Sequence, residues 1–290
     1  MMKNKYAILQ LTDLYLTCEQ SKQIENEETF NLIAYFINKY HPDLCIFTGN
    51  QIWAEDQETG AALYQRFLEF MNQFEVKIAT TFGDKETCQE LTRTQLRQLE
   101  AKYSTNYAHK YCSSIANDKE AYIIESPYQQ IFVLDNGVDG TIEEEHLVWL
   151  QEKLKHRGKH VAHRVLFMHR PIKAYDNVFV YIGEKKSEIS YVAESERLFS
   201  VLREARNIDG IFCGHDYDND FTFFHQGIGL NYGRVSGVSL YSDLAPGARL
   251  IHLFPERSYT TCILDSDIEA EEDAEEDLSA AELMEKIVGN

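Results

Sequence analysis

I-F-C-G-H-D-Y-D-N-D-F, residues 211 to 221, decides how the rest of the chain is read. An apolar run ends at Gly214 and gives way at once to His215, Asp216, Tyr217, Asp218, Asn219 and Asp220. A core strand does not bury such a cluster without partners, because unpaired polar groups are costly away from water. A strand that stops abruptly in polar side chains predicts chemistry or a metal at its end.

Four other apolar runs end the same way. Tyr6 to Leu11 stops at Thr12-Asp13-Leu14-Tyr15, and Asp43 to Thr48 at Gly49-Asn50-Gln51. Val76 to Phe82 stops at Gly83-Asp84-Lys85-Glu86, and Arg164 to Met168 at His169-Arg170-Pro171. Helical patterns lie between them. Phe30, Ile33, Ala34 and Ile37 predict a helix from about Glu28 to Tyr40, ended by Pro42. Leu63, Phe67, Leu68 and Met71 mark a second, and Glu86 to about Lys102 reads as a third. Three successive strand-helix units predict a mainly parallel core sheet with helices outside. Tyr122 to Glu125 and Gln130 to Asp135 read as a strand pair, and Thr141 to Lys155 and Ala193 to Arg206 as helices. Phe221 to Leu264, punctuated by glycines, reads as a meander covering the other side. Ligands of α/β proteins gather at the carboxyl ends of strands, so the five polar turns are expected to meet. Asp, Asn and His together are a metal constellation by type.

Composition sets the limits. At 290 residues, 44% hydrophobic and 12% aromatic, the chain has enough apolar content for one large α/β core. No apolar run approaches the ~20 residues of a membrane helix. Six scattered cysteines without a C-x-x-C pattern read as reduced thiols, and the chain reads as cytoplasmic. The net charge of -19 is uneven: residues 265 to 290 hold 11 acids and one lysine. The body is still acidic, which argues against nucleic acid as a partner, since phosphate neutralisation needs clustered Lys and Arg. The acidic tail is either a solubilising extension or a segment that docks on a protein partner.

L-T-D-L-Y (11–15), F-T-G-N-Q-I-W (47–53), F-G-D-K-E (82–86), F-M-H-R-P (167–171) and C-G-H-D-Y-D-N-D-F (213–221) together resemble the calcineurin-like metallophosphoesterases. The pattern is nearest the branch described as purple-acid-phosphatase-like, and with L-D-N-G (134–137), Y-G-R-V-S-G (232–237) and G-A-R-L-I-H-L (247–253) it covers residues 6 to 264. The resemblance implies a four-layer α/β/β/α sandwich over residues 1–264, followed by the tail at 265–290. It also implies two metal ions that activate a water toward a phosphate ester.

The same resemblance exposes departures. The first metal site would use Asp13, Tyr15 where the family has His, Asn50 where it has the bridging Asp, and Tyr217 where it has the last His. A phenol with a pKa of ~10 is a poor ligand for a divalent ion, so this site is expected to be lost. The second would use Asn50 in place of Asp, Asp84 in place of Asn, His169 and His215. That set suits one Mn, Zn or Fe ion, or none. Lys85 stands at the general-acid His position; with a pKa of ~10.4 it is a slow proton donor, although it can neutralise a phosphate or pair with Asp13 or Asp84. Arg170 and Arg234 either face a phosphate or form ion pairs. Tyr15 and Tyr217 are expected to fill space with their hydroxyls on Asp13 or Asn50. Trp53 and Trp149 are read as core.

Three functions follow. The leading one is a family member with a degraded dinuclear site that acts in binding or regulation, with a phosphate ester or phosphorylated molecule as ligand. The alternative is a mononuclear phosphoesterase using Asn50, Asp84, His169 and His215. The third is a ferric site at the two tyrosines beside Asp13.

Overall fold

Runs of Ile, Leu, Val and Phe without polar alternation belong to strands covered on both faces. That is what they form here. The structure, a computed structural model, describes residues 5–126, 128–155, 157–158, 160–256 and 258–267. In chain order the elements are β1 (Tyr6–Leu11), α1 (Gln23–Tyr40), β2 (Leu44–Thr48), α2 (Gln57–Met71), β3 (Lys77–Thr81) and α3 (Arg93–Tyr103). They continue with β4 (Tyr111–Ala116), β5 (Lys119–Glu125), β6 (Gln129–Leu134), α4 (Glu144–Leu154), β7 (His163–Phe167), α5 (Glu196–Ala205) and β8 (Gly210–Cys213). The last four strands are β9 (Thr222–His225), β10 (Ile228–Tyr232), β11 (Gly247–Leu253) and β12 (Tyr259–Asp265).

The strands form two sheets. One has the order β12-β11-β1-β2-β3, with β1, β2 and β3 parallel. The other has the order β4-β5-β6-β7-β8-β10-β9, with β6, β7, β8 and β10 parallel. Successive side chains point to opposite faces of a strand, so each run feeds two cores. In β1, Leu9 and Leu11 pack with α1 and α2, while Ile8 joins the layer between the sheets. In β7 and β8, Leu166, Ile211 and Cys213 pack with α4 and α5, while Phe167 and Phe212 stack between the sheets with centroids 4.9 Å apart. Each buried ring contributes about 1.5–3 kcal/mol on leaving water. Three cores between four layers make the α/β/β/α sandwich.

Several details differ from the sequence reading. The third helix begins at Arg93, not Glu86: Thr92 and Gln95 form a capping box. Residues 86 to 92 are loop, because the Glu86 carboxylate turns inward to accept from the backbone of Gln51 and Gly83. β4 is an additional strand, largely exposed, with no apolar run to announce it. The 221 to 264 region is not one meander: β9 and β10 extend the second sheet, and β11 and β12 the first. Trp149 is buried, but Trp53 is 47% exposed. No helix among the described residues is long and apolar enough to cross a membrane. From residue 268 onward, the acidic tail lies outside the described residues.

Candidate functional site

The turns after β1, β2, β3, β7 and β8 meet at one end of the sandwich. Backbone hydrogen bonds lace them together: Asp13 N–H donates to Gly49 O (3.0 Å), Tyr15 N–H to Asn50 O (2.9 Å) and Gly214 N–H to His169 O (2.9 Å). Asp13, Tyr15, Asn50 and His215 all have positive φ, between 51° and 76°. Non-glycine residues reach that region at a cost, so the surrounding fold must hold them there. Close packing adds a second constraint. A Cβ on Gly83 would lie 2.3 Å from Asn50 Oδ1 and 2.7 Å from His169 Nε2, so these atoms close on the Gly83 backbone as only glycine permits.

The first half of the site is closed by hydrogen bonds. Asn50 Nδ2 donates to Asp13 Oδ1 (2.9 Å) and to the Tyr15 hydroxyl (3.0 Å). Its Oδ1 accepts from the backbone N–H groups of Asp84 (3.0 Å) and Lys85 (3.1 Å), which only an oxygen can do, so the amide's orientation is fixed. Asp13 Oδ2 accepts from Thr12 Oγ1 (2.8 Å) and the His215 N–H (2.9 Å). Asp13 is fully buried, and burial pushes its carboxyl up against the lowering effect of His169 and these hydrogen bonds. Burial, followed by the charges of Asp13, Asp84 and Glu86, pushes the Tyr15 phenol far up. Tyr217 lines the neighbouring cavity and bonds neither Asp13 nor Asn50, unlike the expectation for its hydroxyl. These residues do not fit a divalent ion: both Asp13 oxygens already accept hydrogens, and an NH2 group points between Asp13 and Tyr15.

The second half is different. Asp84, His169 and His215 bring one donor atom each within 4.8 Å of one another. His215 Nδ1 lies 3.2 Å from His169 Nε2, and Asp84 Oδ1 lies 3.6 Å from the His169 nitrogen and 3.9 Å from the His215 nitrogen. Ligands on a tetrahedral ion with bonds of about 2.0–2.1 Å stand about 3.3 Å apart, close to this spacing. His169 Nδ1 donates to Thr48 O (2.8 Å), since a carbonyl can only accept, and this leaves the Nε2 lone pair facing the cluster. Asp84 Oδ1 is buried without a hydrogen-bond partner. An orphaned carboxylate oxygen facing two imidazole nitrogens fits a single divalent ion.

In the absence of an ion, the charges arrange themselves around a proton. Burial pushes His169 down, but the Asp84 carboxylate, then Asp13 and Glu86, more than offset it and hold the imidazole above its usual value. Burial and the neighbouring charges of His169 and Arg170 push His215 down to about 3. Burial opposes ionisation of Asp84, but His169, His215 and Lys85 hold it well below the usual carboxylate range.

The cations separate into two groups. Lys85 Nζ and Arg170 Nη2 flank Asp84 Oδ2 at 3.4 Å and 3.6 Å. Lys85 therefore pairs with Asp84 rather than Asp13. Arg234 does not face this cluster: it is buried between Asp220 and Asp265 and also donates to Ala245 O (2.7 Å). Both carboxylates lie within reach of its fork, so of the two expectations for Arg234 the ion pair is the one found, buried rather than on the surface. Glu86 was missed as a supporting residue. Fully buried, with its carboxyl pushed up to about 7 by burial, it ties the β2 and β3 turns through Gln51 and Gly83. The signal was a glutamate next to G-D-K at a turn.

The sequence profile of the calcineurin-like phosphoesterases matches residues 6–219, and the chain belongs to that family. A dimetal phosphatase from Danio rerio is similar in structure, with a TM-score of 0.62 at 12% identity over 90% of this chain and 98% of its own. A purple acid phosphatase from yellow lupin (Lupinus luteus) seeds has a TM-score of 0.60 at 11% identity, covering 91% of this chain and 52% of the enzyme. An anchor protein of the inner membrane complex of Plasmodium has a TM-score of 0.57 at 13% identity, covering 91% of this chain and 85% of its own. At these identities the likeness concerns the fold alone. No curated protein sequence matches the chain.

Proposed function

We propose that this chain is a calcineurin-like phosphoesterase homologue in which the dinuclear centre has been reduced to one position, and that it binds a phosphate ester or phosphorylated ligand in a binding or regulatory role. One observation carries the reading: the Asn50 NH2 group is hydrogen-bonded to Asp13 and Tyr15 where a bridging carboxylate would hold two ions. Asp84, His169 and His215 would hold the remaining ion, with Asn50 beside them. Such an ion would polarise a phosphoryl oxygen. Lys85 and Arg170 stand ready to neutralise the phosphate, and a lysine stands where the family's general-acid His would be. Losing the bridging carboxylate, one ion and the acid together removes most of the rate, since general acid–base catalysis alone is typically worth about 10²-fold or more. None of the six cysteines forms a disulfide, which suits a reducing, cytoplasmic setting.

The test is metal analysis after loading with Mn²⁺, Zn²⁺ or Fe²⁺, paired with hydrolysis of an aryl phosphate. At most one ion per chain, and no hydrolysis that His215→Ala abolishes, is the expected result. The convergence of Asp84, His169 and His215 favours a second reading, a mononuclear phosphoesterase using those residues and Asn50. Hydrolysis lost in His215→Ala, with one ion bound, would select it.

A further inference from the structure

Trp53 stands half-exposed beside the cluster. Its neighbours Ile52 and Ala54 are buried, its backbone N–H donates to Leu16 O (2.8 Å), and Ala54 N–H donates to Lys85 O (2.9 Å). The backbone is pinned on both sides while the indole stays 47% exposed at the mouth of the site. Tyr15 meets it edge-on with centroids 5.9 Å apart, and Lys85 Nζ lies 5.5 Å from its ring centroid. The indole borders a cavity of about 450 Å³ that opens onto Asp84, Lys85 and His215. It also borders a smaller one of about 130 Å³ on the side of Thr17 and Lys22.

Charge is divided sharply within the larger cavity. Lys85 lines it beside Asp84, and Arg170, outside the lining, flanks the same Asp84 oxygen. The far wall carries Glu188, Asp216 and Asp218. Asp216 accepts from Tyr232 and the Ser190 N–H, and Asp218 from Ser242 and the Asp243 N–H, so these carboxylates are fixed in place. One anionic group is welcome beside Lys85, and a second one near Glu188, Asp216 and Asp218 meets negative charge. Tyr15, Trp53 and Tyr217 add aromatic surface to the same lining.

We infer that the cleft selects a monophosphate ester of an aromatic alcohol, with the phosphate beside Lys85 and the planar ring lying on Trp53. This rests on the phosphate-binding reading above and narrows it. An aromatic face beside a cation provides both stacking and a charged partner, and it favours no single ring chemistry. A phosphate oxygen hydrogen-bonded to Lys85 and a ring in contact with the indole are close enough to be joined by one ester linkage.

The chain holds two tryptophans, and the other, Trp149, is buried, so emission changes report on Trp53. The experiment titrates the full chain, with and without Zn²⁺, against phenylphosphonate and methylphosphonate, which have no ester to hydrolyse, by calorimetry and tryptophan fluorescence. Phenylphosphonate is expected to bind about tenfold more tightly, a difference of about 1.4 kcal/mol, and to change Trp53 emission. Trp53→Leu should equalise the two ligands, and Trp53→Phe should keep the preference. Equal affinities in the unmodified chain, or a preference that survives Trp53→Leu, would overturn the inference and leave the phosphate site standing. Pyrophosphate binding more tightly than phosphate would overturn the selection for a single phosphate. If neither phosphonate binds, the phosphate-binding reading falls, and this one with it.

Discussion

Replacing Asn50 by Asp puts the family's carboxylate back and tests whether the amide is what closes the first half of the site. Asn50 Nδ2 is 2.9 Å from Asp13 Oδ1 in a fully buried setting. Two ionised carboxylates about 3 Å apart repel by about 5 kcal/mol at an effective dielectric of about 20. Sharing a proton offers little escape at pH 7.5, because holding one on a group with an unfolded pKa of ~3.9 costs about the same. The sign follows from linkage. The pair's folded pKa is raised above its unfolded value, so Asn50→Asp matches the parent near pH 4 and falls behind as pH rises, by about 1.4 kcal/mol per unit until the pair ionises. At about 2–4 °C per kcal/mol, the melting temperature at pH 7.5 without metal should drop by about 10 °C or more. Added Mn²⁺ or Zn²⁺ should restore more stability to the variant than to the parent, because a cation held between Asp13 and the introduced carboxylate cancels the repulsion. Calorimetric unfolding from pH 4.5 to 7.5, with and without metal, is the assay. A metal-free variant within about 2 °C of the parent at pH 7.5, or a deficit that does not change with pH, refutes the reasoning.

Other changes probe the rest of the molecule. Arg234→Met leaves buried Asp220 without its cation and should cost about 3–5 kcal/mol by denaturant unfolding, while phosphonate affinity stays unchanged in the folded protein. Lys110→Met should cost a similar amount, because Lys110 bridges buried Glu100 (3.2 Å) and Glu120 (2.8 Å), and both would be left facing each other without that cation. In the metal-free protein, His169 is held above its usual pKa, so its contribution is complete below about pH 6.5 and is lost as pH rises through the folded value. The denaturant midpoint should fall over that interval, and His169→Asn should remove this part of the pH dependence.

The parallel core strands were legible because strands covered on both faces are largely apolar, as around Leu9, Ile46, Phe167 and Phe212, whereas the four-layer order came only from the family resemblance. β4 was not, because its exposed strand carries no such run. The start of α3 was misplaced because Glu86 continues a helical pattern locally, while its carboxylate is claimed by Gln51 and Gly83 from outside that pattern. Trp53 was misread as core on composition, whereas its exposure follows from what pins the backbone on either side. At the site, the residues at the turns were identifiable from their order along the chain. Their partners were not: Arg234 lies beside a turn motif, but Asp265, 31 residues further on, helps decide where its guanidinium goes.

If the first position holds no ion, as proposed, the Asn50 side chain would keep the turns in place instead. It donates to Asp13 and Tyr15 after β1 and accepts from the backbone of Asp84 and Lys85 after β3, while itself following β2. Four hydrogen bonds from one amide thus join three strand ends, the cross-linking that a bridging carboxylate with its ions would otherwise supply. Each contributes about 0.5–1.5 kcal/mol, and the one to the Asp13 carboxylate more, so the total is enough to hold positive-φ residues in their strained turns. The same four bonds use every hydrogen-bonding atom of the amide. They therefore stabilise the architecture, and Asp84, with an oxygen facing two imidazoles and no hydrogen-bond partner, is where the proposed ion would bind.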